Sequence, residues 1–496
     1  MAIPFSRIPN NLRTPLFFVE FDNSMANSAI ATQRTLIIGQ MLGSATAAPD
    51  IPVRVSSAEQ AASQYGHGSL LHGMVTAYLA NDIAAELWVL PFNDSENMLA
   101  AKGQVKISSP PTNAGVISLY IAGQRVQVTV LATDNAAQIA QSLTTAINRK
   151  ISLPVTATAA NDTVTLTAKN KGAHGNGIDI SLNYRGQAGG EVAPAGLGLV
   201  ITPMTGGSGA PELKNGLSNL SDRAFDFIVN PYTDTTSLDE MKSFLSDTSG
   251  RWSWEQQLYG HAISVVSGTY GELADAGERH NNQHETLLGI TKSPTPNYIW
   301  SAAVTGAIAP SLRNDPGRPL QTLPVAGVLA PAVEYQLNLI DRNNLLHSGI
   351  STVTVADDGT VQIENIISTY QKNPYGDNDD SYLQIETLFL LAFVSRYIRT
   401  QITSKFGRVK LVRDGTRFMP GSAIVTPNIV RAELIAQYRT LEYNGYVQDS
   451  AAFAEGLRVE INAHNPNRLD VLWTGALINQ LRVFALLNQF RLGPTA

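Results

Sequence analysis

The sequence predicts an α/β protein with a small inserted α+β domain and a C-terminal α+β domain. Strands alternate with helices over residues 23–100 and again over 206–365, which is the rhythm of parallel βαβ units. Between these halves, residues 101–205 change to threonine-rich alternating strands around one helix, which favours strands with one solvated face. Residues 366–496 then give two long helices followed by further strands.

Composition limits the classes of function. The 496 residues include no cysteine, which excludes disulfides and thiol chemistry, and only 15% of them are charged. Few charges favour a protein that covers much of its surface with copies of itself. No clustered basic face predicts direct nucleic-acid binding, and no apolar run of about 18 residues predicts membrane insertion. No signal-peptide pattern opens the sequence, so we expect a cytosol-like compartment.

The net charge of −6 is unevenly distributed. Residues 206–365 carry 9 basic and 18 acidic side chains, whereas residues 366–496 carry 14 and 11. Blocks of opposite sign are typical of surfaces that meet between subunits and fix their register. Chance variation among solvated faces is the alternative, and the sequence leaves both open.

The first α/β half contains two strands and two helices. Arg34–Gln40 and Glu86–Pro91 are short apolar runs, as in buried strands. Between them, a capping-box pattern at residues 56–59 opens one helix, and apolar residues at helical spacing predict a second over Ser69–Asn81.

The insertion begins with a hairpin. Gly123 joins the predicted strands Val116–Ile121 and Gln124–Val130, Asn135–Asn148 is helical, and threonines alternate over Val155–Thr167. These elements predict a separate α+β unit.

The α/β pattern returns after the glycine-rich segment Thr205–Pro211. Apolar strands begin near Phe225, His261 and Leu287, with helices between them, and the residues 310–331 predict an ordered irregular segment because they are rich in proline and glycine.

The C-terminal domain begins with the longest predicted helix. Ser381 with Gln384 forms its cap, it runs to Phe406, and Thr426-Pro427 opens a second helix. A three-stranded meander follows, with strands over residues 457–463, 469–474 and 481–487. The last run is apolar on both faces, which suits a strand covered on both sides.

Strands rich in large apolar residues lie near both ends of the sequence, at Thr14–Phe21 and from Leu481 onward. An exposed edge with bare N–H and C=O groups invites another chain, so we interpret both as arms that add to a sheet of a neighbouring subunit. The alternative is that each pairs within its own domain. The predicted interface residues are Leu16, Phe17, Phe18, Val19, Phe21, Leu481, Val483, Phe484, Leu486, Leu487 and Phe490.

Four patterns are candidates for sites of chemistry. His280 and His284 are four apart, but the residue after the first is not the glutamate that the zincin motif needs. The Gly206–Gly209 loop lacks the Lys-Ser/Thr of a nucleotide-binding loop, which favours a structural hinge. Asp377–Asp380 lacks the calcium-loop pattern, which favours helix capping. His67, His72, His261 and His347 have no Gly-x-Ser-x-Gly partner, so we predict no catalytic, cofactor or metal site.

Five motifs in order along the chain carry a resemblance to a known family. They are Ile8-Pro9 through Asn23, the Gly-Ala-His-Gly-Asn-Gly-Ile turn at 172–178, Gly206–Gly209, Arg413–Thr416, and Trp473 through Arg491. On these residues the sequence resembles the tail sheath proteins of contractile-tailed phages, on the Mu-like branch, over essentially its full length.

The resemblance implies a subtilisin-like α/β core that serves only as scaffold, and terminal arms that exchange strands between subunits. It divides the chain into an N-terminal strand arm at 1–22, a core at 23–100 and 206–365, an inserted domain at 101–205 and an assembly domain at 366–496. It further implies a helical sheath, assembled in the host cytoplasm, around an inner tail tube protein, with baseplate and tail terminator proteins as partners. Contraction would drive the tube through the host envelope for genome ejection. The alternatives are a degenerate subtilisin-like hydrolase, or another self-assembling virion protein such as a capsid or tube subunit.

Overall fold

The computed structural model describes residues 33–491, so the predicted N-terminal strand arm at residues 1–22 lies outside the described residues. In chain order the strands are β1 (Thr35–Gln40), β2 (Val53–Val55), β3 (Leu87–Phe92), β4 (Lys102–Ser109), β5 (Gly115–Ile121), β6 (Gln124–Val130), β7 (Val155–Ala160), β8 (Thr163–Ala168), β9 (Ile180–Leu182), β10 (Gly198–Thr205), β11 (Phe227–Val229), β12 (His261–Ser267), β13 (Glu285–Ile290), β14 (Ile350–Val355), β15 (Val361–Asn365), β16 (Lys410–Leu411), β17 (Ile424–Val425), β18 (Val447–Gln448), β19 (Arg458–Ile461), β20 (Leu469–Leu472) and β21 (Ala476–Leu477). The helices are α1 (Ala58–Tyr65), α2 (Leu70–Leu79), α3 (Ala136–Arg149), α4 (Lys214–Ser218), α5 (Thr235–Leu245), α6 (Tyr270–Glu278), α7 (Asn297–Asn314), α8 (Leu339–His347), α9 (Ile385–Phe406), α10 (Pro427–Tyr443) and α11 (Ser450–Gly456).

Eight strands form the central sheet, in the order β15-β14-β13-β12-β11-β1-β3-β2. The six strands from β14 to β3 are parallel, and the edge strands β15 and β2 pair antiparallel. Within β1, Ile37 joins the hydrophobic cluster on one face, while Leu36 and Ile38 join the cluster on the other. Because both faces are covered, the strand is apolar throughout.

Helices cover both faces of this sheet. α1, α2 and α7 pack on the face that contains Ile37, and α4 and α5 pack on the opposite face. α6 and α8 continue that second layer over β13 and β14. The arrangement confirms the predicted α/β class of the core, whereas its subtilisin-like detail stays a prediction.

The helix α7 corrects the expectation of an irregular segment from residue 310. Pro310 lies inside this helix, where it removes one backbone hydrogen bond, and the helix continues to Asn314. Ile308, Ala309 and Leu312 are fully buried on it. Burial of this apolar surface therefore outweighs the break that proline causes in an isolated helix.

The inserted residues fold around a hydrophobic core of their own. A four-stranded sheet (β10-β4-β8-β7) and a three-stranded sheet (β6-β5-β9) enclose it together with α3. The β5–β6 turn forms at Ala122 and Gly123, both with positive φ, as tight hairpin turns require. Asn135 and Gln138 form a reciprocal capping box at the start of α3.

A buried polar network joins this insertion to the central sheet. The side chain of Asn170 accepts a hydrogen bond from the Leu70 N–H (2.9 Å) and donates to the carbonyl oxygen of Met41 (2.9 Å) and to Asp94 Oδ1 (3.2 Å). Gln40, at the carboxyl end of β1, donates to the carbonyl oxygen of Lys171 at 2.9 Å. Every contact crosses from insertion to core, so the two parts are held in one orientation.

The C-terminal part has a further hydrophobic core, built from α9, α10 and α11. The Thr426 side chain caps α10 as predicted, by accepting from the Ile429 N–H. The predicted cap of α9 by Ser381 is wrong, because the helix begins only at Ile385. Gln384 pairs with Ile367 in an isolated β-bridge and is therefore extended. Within residues 33–491, no helix is both long and apolar enough to cross a bilayer.

The predicted meander is also corrected. β19 and β20 pair antiparallel as expected, but the third run at 481–487 is in no strand of the described chain. β21 instead pairs with β18, so the chain turns away from the hairpin before residue 478. A backbone hydrogen bond from the Ile478 N–H to the Tyr446 carbonyl oxygen (3.2 Å) continues the contact between these two segments one residue beyond β21.

Replacing Asn170 with Ala should lower the stability of the whole chain. The substitution leaves buried backbone groups of Leu70 and Met41 without partners, and each such group costs about 1–3 kcal/mol. We expect a clear fall in the urea midpoint, measured by circular dichroism. Asn113→Ala, at an exposed loop position, is the matched control. Equal midpoints for the two variants would contradict the importance of this network.

Candidate assembly site at the C-terminal arm

The last described residues, 478–491, belong to no helix, strand or turn and are here called the C-terminal arm. Its first part, residues 478–482, lies against the body of the same chain. Ile478 packs in the C-terminal core, and the Gln321 side chain donates to the carbonyl oxygen of Leu481 at 3.4 Å. Arg482 Nη2 lies 2.5 Å from Glu386 Oε1. We call these five residues the arm root.

The residues that follow, 483–491, form the arm tip. Five of its large apolar side chains are exposed to between 76% and 83%: Val483, Phe484, Leu486, Leu487 and Phe490. Within the described chain, no hydrogen bond joins the tip to another residue. Apolar side chains and unpaired backbone groups together are typical of a strand that completes another sheet.

A short sheet with open edges lies in the same domain. β19 and β20 pair only with each other within residues 33–491, so each leaves one edge without a strand. Val471 and Leu472 on β20 are 44% and 56% exposed. A lone two-stranded hairpin is marginally stable in water, and added strands would complete it. This hairpin is therefore a candidate acceptor for a further strand.

The charged contact at the arm root is deeply buried. Glu386 stands in the first turn of α9, and its side chain has no exposed surface. It accepts from Arg482 and from the backbone N–H of Leu320, at 3.0 Å. Burial raises the pKa of Glu386, and the neighbouring Arg482 guanidinium opposes that rise. Sequence reasoning missed this pair, although a glutamate inside an apolar helical run was a visible signal.

A crevice of about 350 Å³ remains at the carboxyl ends of the parallel strands. Doubly wound sheets bind ligands at this edge, where the strand order reverses, here between β1 and β11. His174 and Asn176 of the insertion line it, and the His174 ring makes edge contacts with the rings of Tyr232 and Tyr298. Burial lowers the pKa of His174 to about 4, so the imidazole is neutral near pH 7.

Comparisons with known proteins agree on one family. Residues 206–369 match the description "Phage tail sheath protein central domain", and residues 377–491 match "Phage tail sheath C-terminal domain". A Mu-like prophage FluMu tail sheath protein from Haemophilus influenzae is 40% identical over 492 residues, covering 99% of this chain and 100% of the relative. The chain belongs to the phage tail sheath family. This confirms the resemblance inferred from the sequence, and the protein is a structural subunit of a contractile phage tail.

Two solved sheath tail proteins are similar to this sheath subunit. The protein from Desulfitobacterium hafniense is 13% identical, with a TM-score of 0.49 over 94% of this chain and 97% of that one. The protein from Listeria innocua is 14% identical, with a TM-score of 0.48 over 90% and 93%. Both TM-scores are below 0.5, so membership of the family rests on the sequence matches alone.

The structure places the predicted interface residues in two groups. Those from Leu481 to Phe490 all lie on the C-terminal arm with large exposed fractions. Those between Leu16 and Phe21 lie outside the described residues. Their contact with a neighbouring subunit stays a prediction.

The glycine-rich loop at 206–209 closes the insertion. The Asn176 side chain accepts from the Gly207 N–H and donates to the Gly207 carbonyl oxygen, both at 2.8 Å. Ser208 forms a β-bridge with Leu99, where the chain enters the insertion. The loop backbone therefore holds together the two chain segments that connect the core to the insertion.

Three of the candidate histidines have hydrogen-bond partners, and these lie in separate places. His72 Nδ1 accepts from the Gly68 N–H at 3.0 Å, and His261 Nε2 lies 2.8 Å from Thr286 Oγ1. His284 Nε2 lies 2.8 Å from Asp247 Oδ1. Among residues 33–491, no group of three or more His, Asp or Glu side chains is arranged to hold a metal ion. In the acidic turn at 377–380, Asp379 accepts from the hydroxyl of Tyr370 at 2.7 Å.

Glu285, at the start of β13, is a buried carboxyl group that forms no salt bridge within residues 33–491. Its side-chain Oε1 has no hydrogen bond in the described chain, and burial raises its pKa to about 8. Because the pKa in the folded state lies above the ordinary value of 4.5, the neutral form favours folding. That stabilisation is fully present below about pH 4.5 and is lost as the pH rises through 8.

We expect Glu285→Gln to remove this pH dependence. The amide stays neutral, so the variant should be more stable than the parent at pH 8, by a few kcal/mol and on the order of 4 at most, but not near pH 4.5. Urea unfolding at both pH values measures the difference. Glu278→Gln, at an exposed position on α6, is the control. A constant difference between parent and Glu285→Gln at all pH values would contradict the assignment.

Proposed function

We propose that this sheath subunit polymerises as a helical tube around an inner tail tube protein, and that contraction drives the inner tube through the host envelope for genome ejection. Baseplate and tail terminator proteins bind at the two ends of the tube. Assembly takes place in the host cytoplasm, without direct nucleic-acid contact or membrane insertion. The chain acts as a scaffold rather than an enzyme, and its subtilisin-like core needs no cofactor.

The exposed arm tip is the observation that carries the assembly mechanism. Burial of each large apolar side chain contributes about 1.5–3 kcal/mol, and each backbone hydrogen bond contributes about 0.5–1.5 kcal/mol net. The tip offers five such side chains, and its backbone groups have no hydrogen-bond partner within residues 33–491. When the tip pairs with the edge of a neighbour's β19–β20 hairpin, apolar burial and backbone hydrogen bonds both favour association. The N-terminal strand at 14–21 is proposed to add to a neighbouring subunit in the same manner.

We propose that the chain is divided into domains as the sequence predicted. Strand arms at its two ends link neighbouring subunits, and the folded domains lie between these arms. Strand links persist while the bodies reorient, so neighbouring subunits stay connected through contraction. The acidic central block at 206–365 and the more basic block at 366–496 form different contacts in the long and short states.

A chain that ends at Arg482 should fold but not polymerise. The tip makes no hydrogen bond within the described residues, so we expect the thermal midpoint to stay within a few degrees. Negative-stain micrographs should show no tubes. The double variant Phe484→Ser, Leu486→Ser should behave likewise, whereas Asn488→Ser, Gln489→Ser keeps the backbone and assembles. Normal tubes from the truncated chain would refute the donated arm.

Salt should shift the balance between extended and contracted sheaths. The Debye length falls from about 30 Å at 0.01 M to about 3 Å at 1 M, so contacts between exposed blocks weaken across that range. The contracted fraction is counted in micrographs at both ends of the range. Arg413→Gln, Arg417→Gln, which lowers the charge of an exposed basic loop, should reduce the shift. A contracted fraction that is the same at both salt concentrations is the outcome that rules the mechanism out.

A further inference from the structure

The contacts of the C-terminal arm with its own subunit end at Arg482. Up to Arg482 it is held by its own subunit, through Ile478, the Leu481 carbonyl oxygen and the Arg482 guanidinium. From Val483 onward its side chains are exposed, and no hydrogen bond links them to the rest of the described chain. Arg482 is therefore the last fixed point before the tip.

Three parts of the fold meet at that point. Glu386 belongs to α9, Leu320 to the segment that follows α7, and Arg482 to the arm. The Glu386 carboxylate accepts from both of the other two. The Arg482 side chain is 17% exposed and that of Glu386 is not exposed at all. One buried carboxylate thus ties the arm to the central body and to the C-terminal domain.

We propose that Arg482 is a positioning residue for assembly: paired with Glu386, it fixes the register and direction in which the arm leaves the subunit. This inference rests on the proposed donation of the arm tip to a neighbour. It adds that the donated strand begins at Val483 and that the contact of Arg482 with Glu386 sets its direction.

The physical reason is that a buried ion pair specifies one arrangement of its partners. Such a pair adds little net stability, because desolvation of both charges offsets their attraction, but it penalises arrangements that leave one charge unpaired. If the arm slid by one residue, Leu481 or Val483 would face the buried carboxylate in place of Arg482. Glu386 therefore admits one register. An arm without the pair would sample many directions, and only those that reach the neighbour's hairpin lead to assembly.

The test compares three full-length variants with the parent chain. Arg482→Met removes the cation and leaves Glu386 buried and unpaired, which is expected to destabilise the fold. Adding Glu386→Gln removes the second charge as well, and an uncharged pair of similar volume should return the thermal midpoint close to that of the parent. Arg482→Lys keeps the charge. The chain has no cysteine, so Val483→Cys provides a single spin-label site in each background.

We expect the double variant Glu386→Gln, Arg482→Met to be as stable as the parent, to carry a mobile label at 483, and to polymerise more slowly. If a tenth or fewer of its arms point correctly, the rate falls by about tenfold or more. Arg482→Lys should recover part of the rate and of the label's immobility. A purely structural pair would give a double variant that assembles at the parental rate.

Two results would overturn the inference: assembly of the double variant at the parental rate, or slow assembly with a label as immobile as in the parent. Failure of the proposed function is distinguished by the chain truncated after Arg482. If that chain forms tubes, the arm is not donated at all. If it forms none while the double variant assembles normally, only the positioning role of Arg482 is lost.

Discussion

An extended backbone that leaves its N–H and C=O groups unpaired gains free energy by pairing with another strand, and the C-terminal domain is built around that constraint. The β19–β20 hairpin has two open edges in the described chain, and the arm tip has exposed apolar side chains with no intramolecular hydrogen bond. In the proposed assembly one subunit carries both donor and acceptor. Each copy then donates its tip to one neighbour and accepts the tip of another without changing its fold, which is the condition for open-ended polymerisation.

Rigidity elsewhere complements this open site. The central sheet is apolar on both faces and covered by helices on each, so its strands have little freedom to shift. The insertion is tied to it by Asn170 and Gln40 at the edge where doubly wound sheets bind ligands. The ion pair of Asp226 with Arg396 and the stacked rings of Phe227 and Phe389 join the core to α9. The core, the insertion and α9 are therefore connected as one stiff body.

Sequence alone predicted what depends on local pattern. The buried strand predicted over Arg34–Gln40, the helix predicted from Asn135 and the helix opened by Thr426 depend on neighbouring residues, and the structure confirms all three elements. The strand β4 was not predicted, although Gly103, Val105 and Ile107 alternate inward along it.

What sequence could not predict depends on partners distant in the chain. Gln384 is extended because it pairs with Ile367, so the helix starts later than its apparent cap. α7 passes through Pro310 because the surrounding core buries it. At the assembly site, the apolar run of the arm was visible, but the point at which it leaves the body was not, since that depends on Glu386, some hundred residues earlier in the chain.

The length of the arm tip has a geometric consequence for a contracting lattice. Nine residues, from Val483 to Arg491, span about 30 Å when fully extended. In the proposed assembly such a link acts as a tether, whose reach is set by the covalent chain between the arm root of one subunit and the hairpin of its neighbour, and neighbouring bodies tilt and slide only within that reach. Covalent chain length, rather than the strength of any contact, then limits how far the spacing between subunits can change.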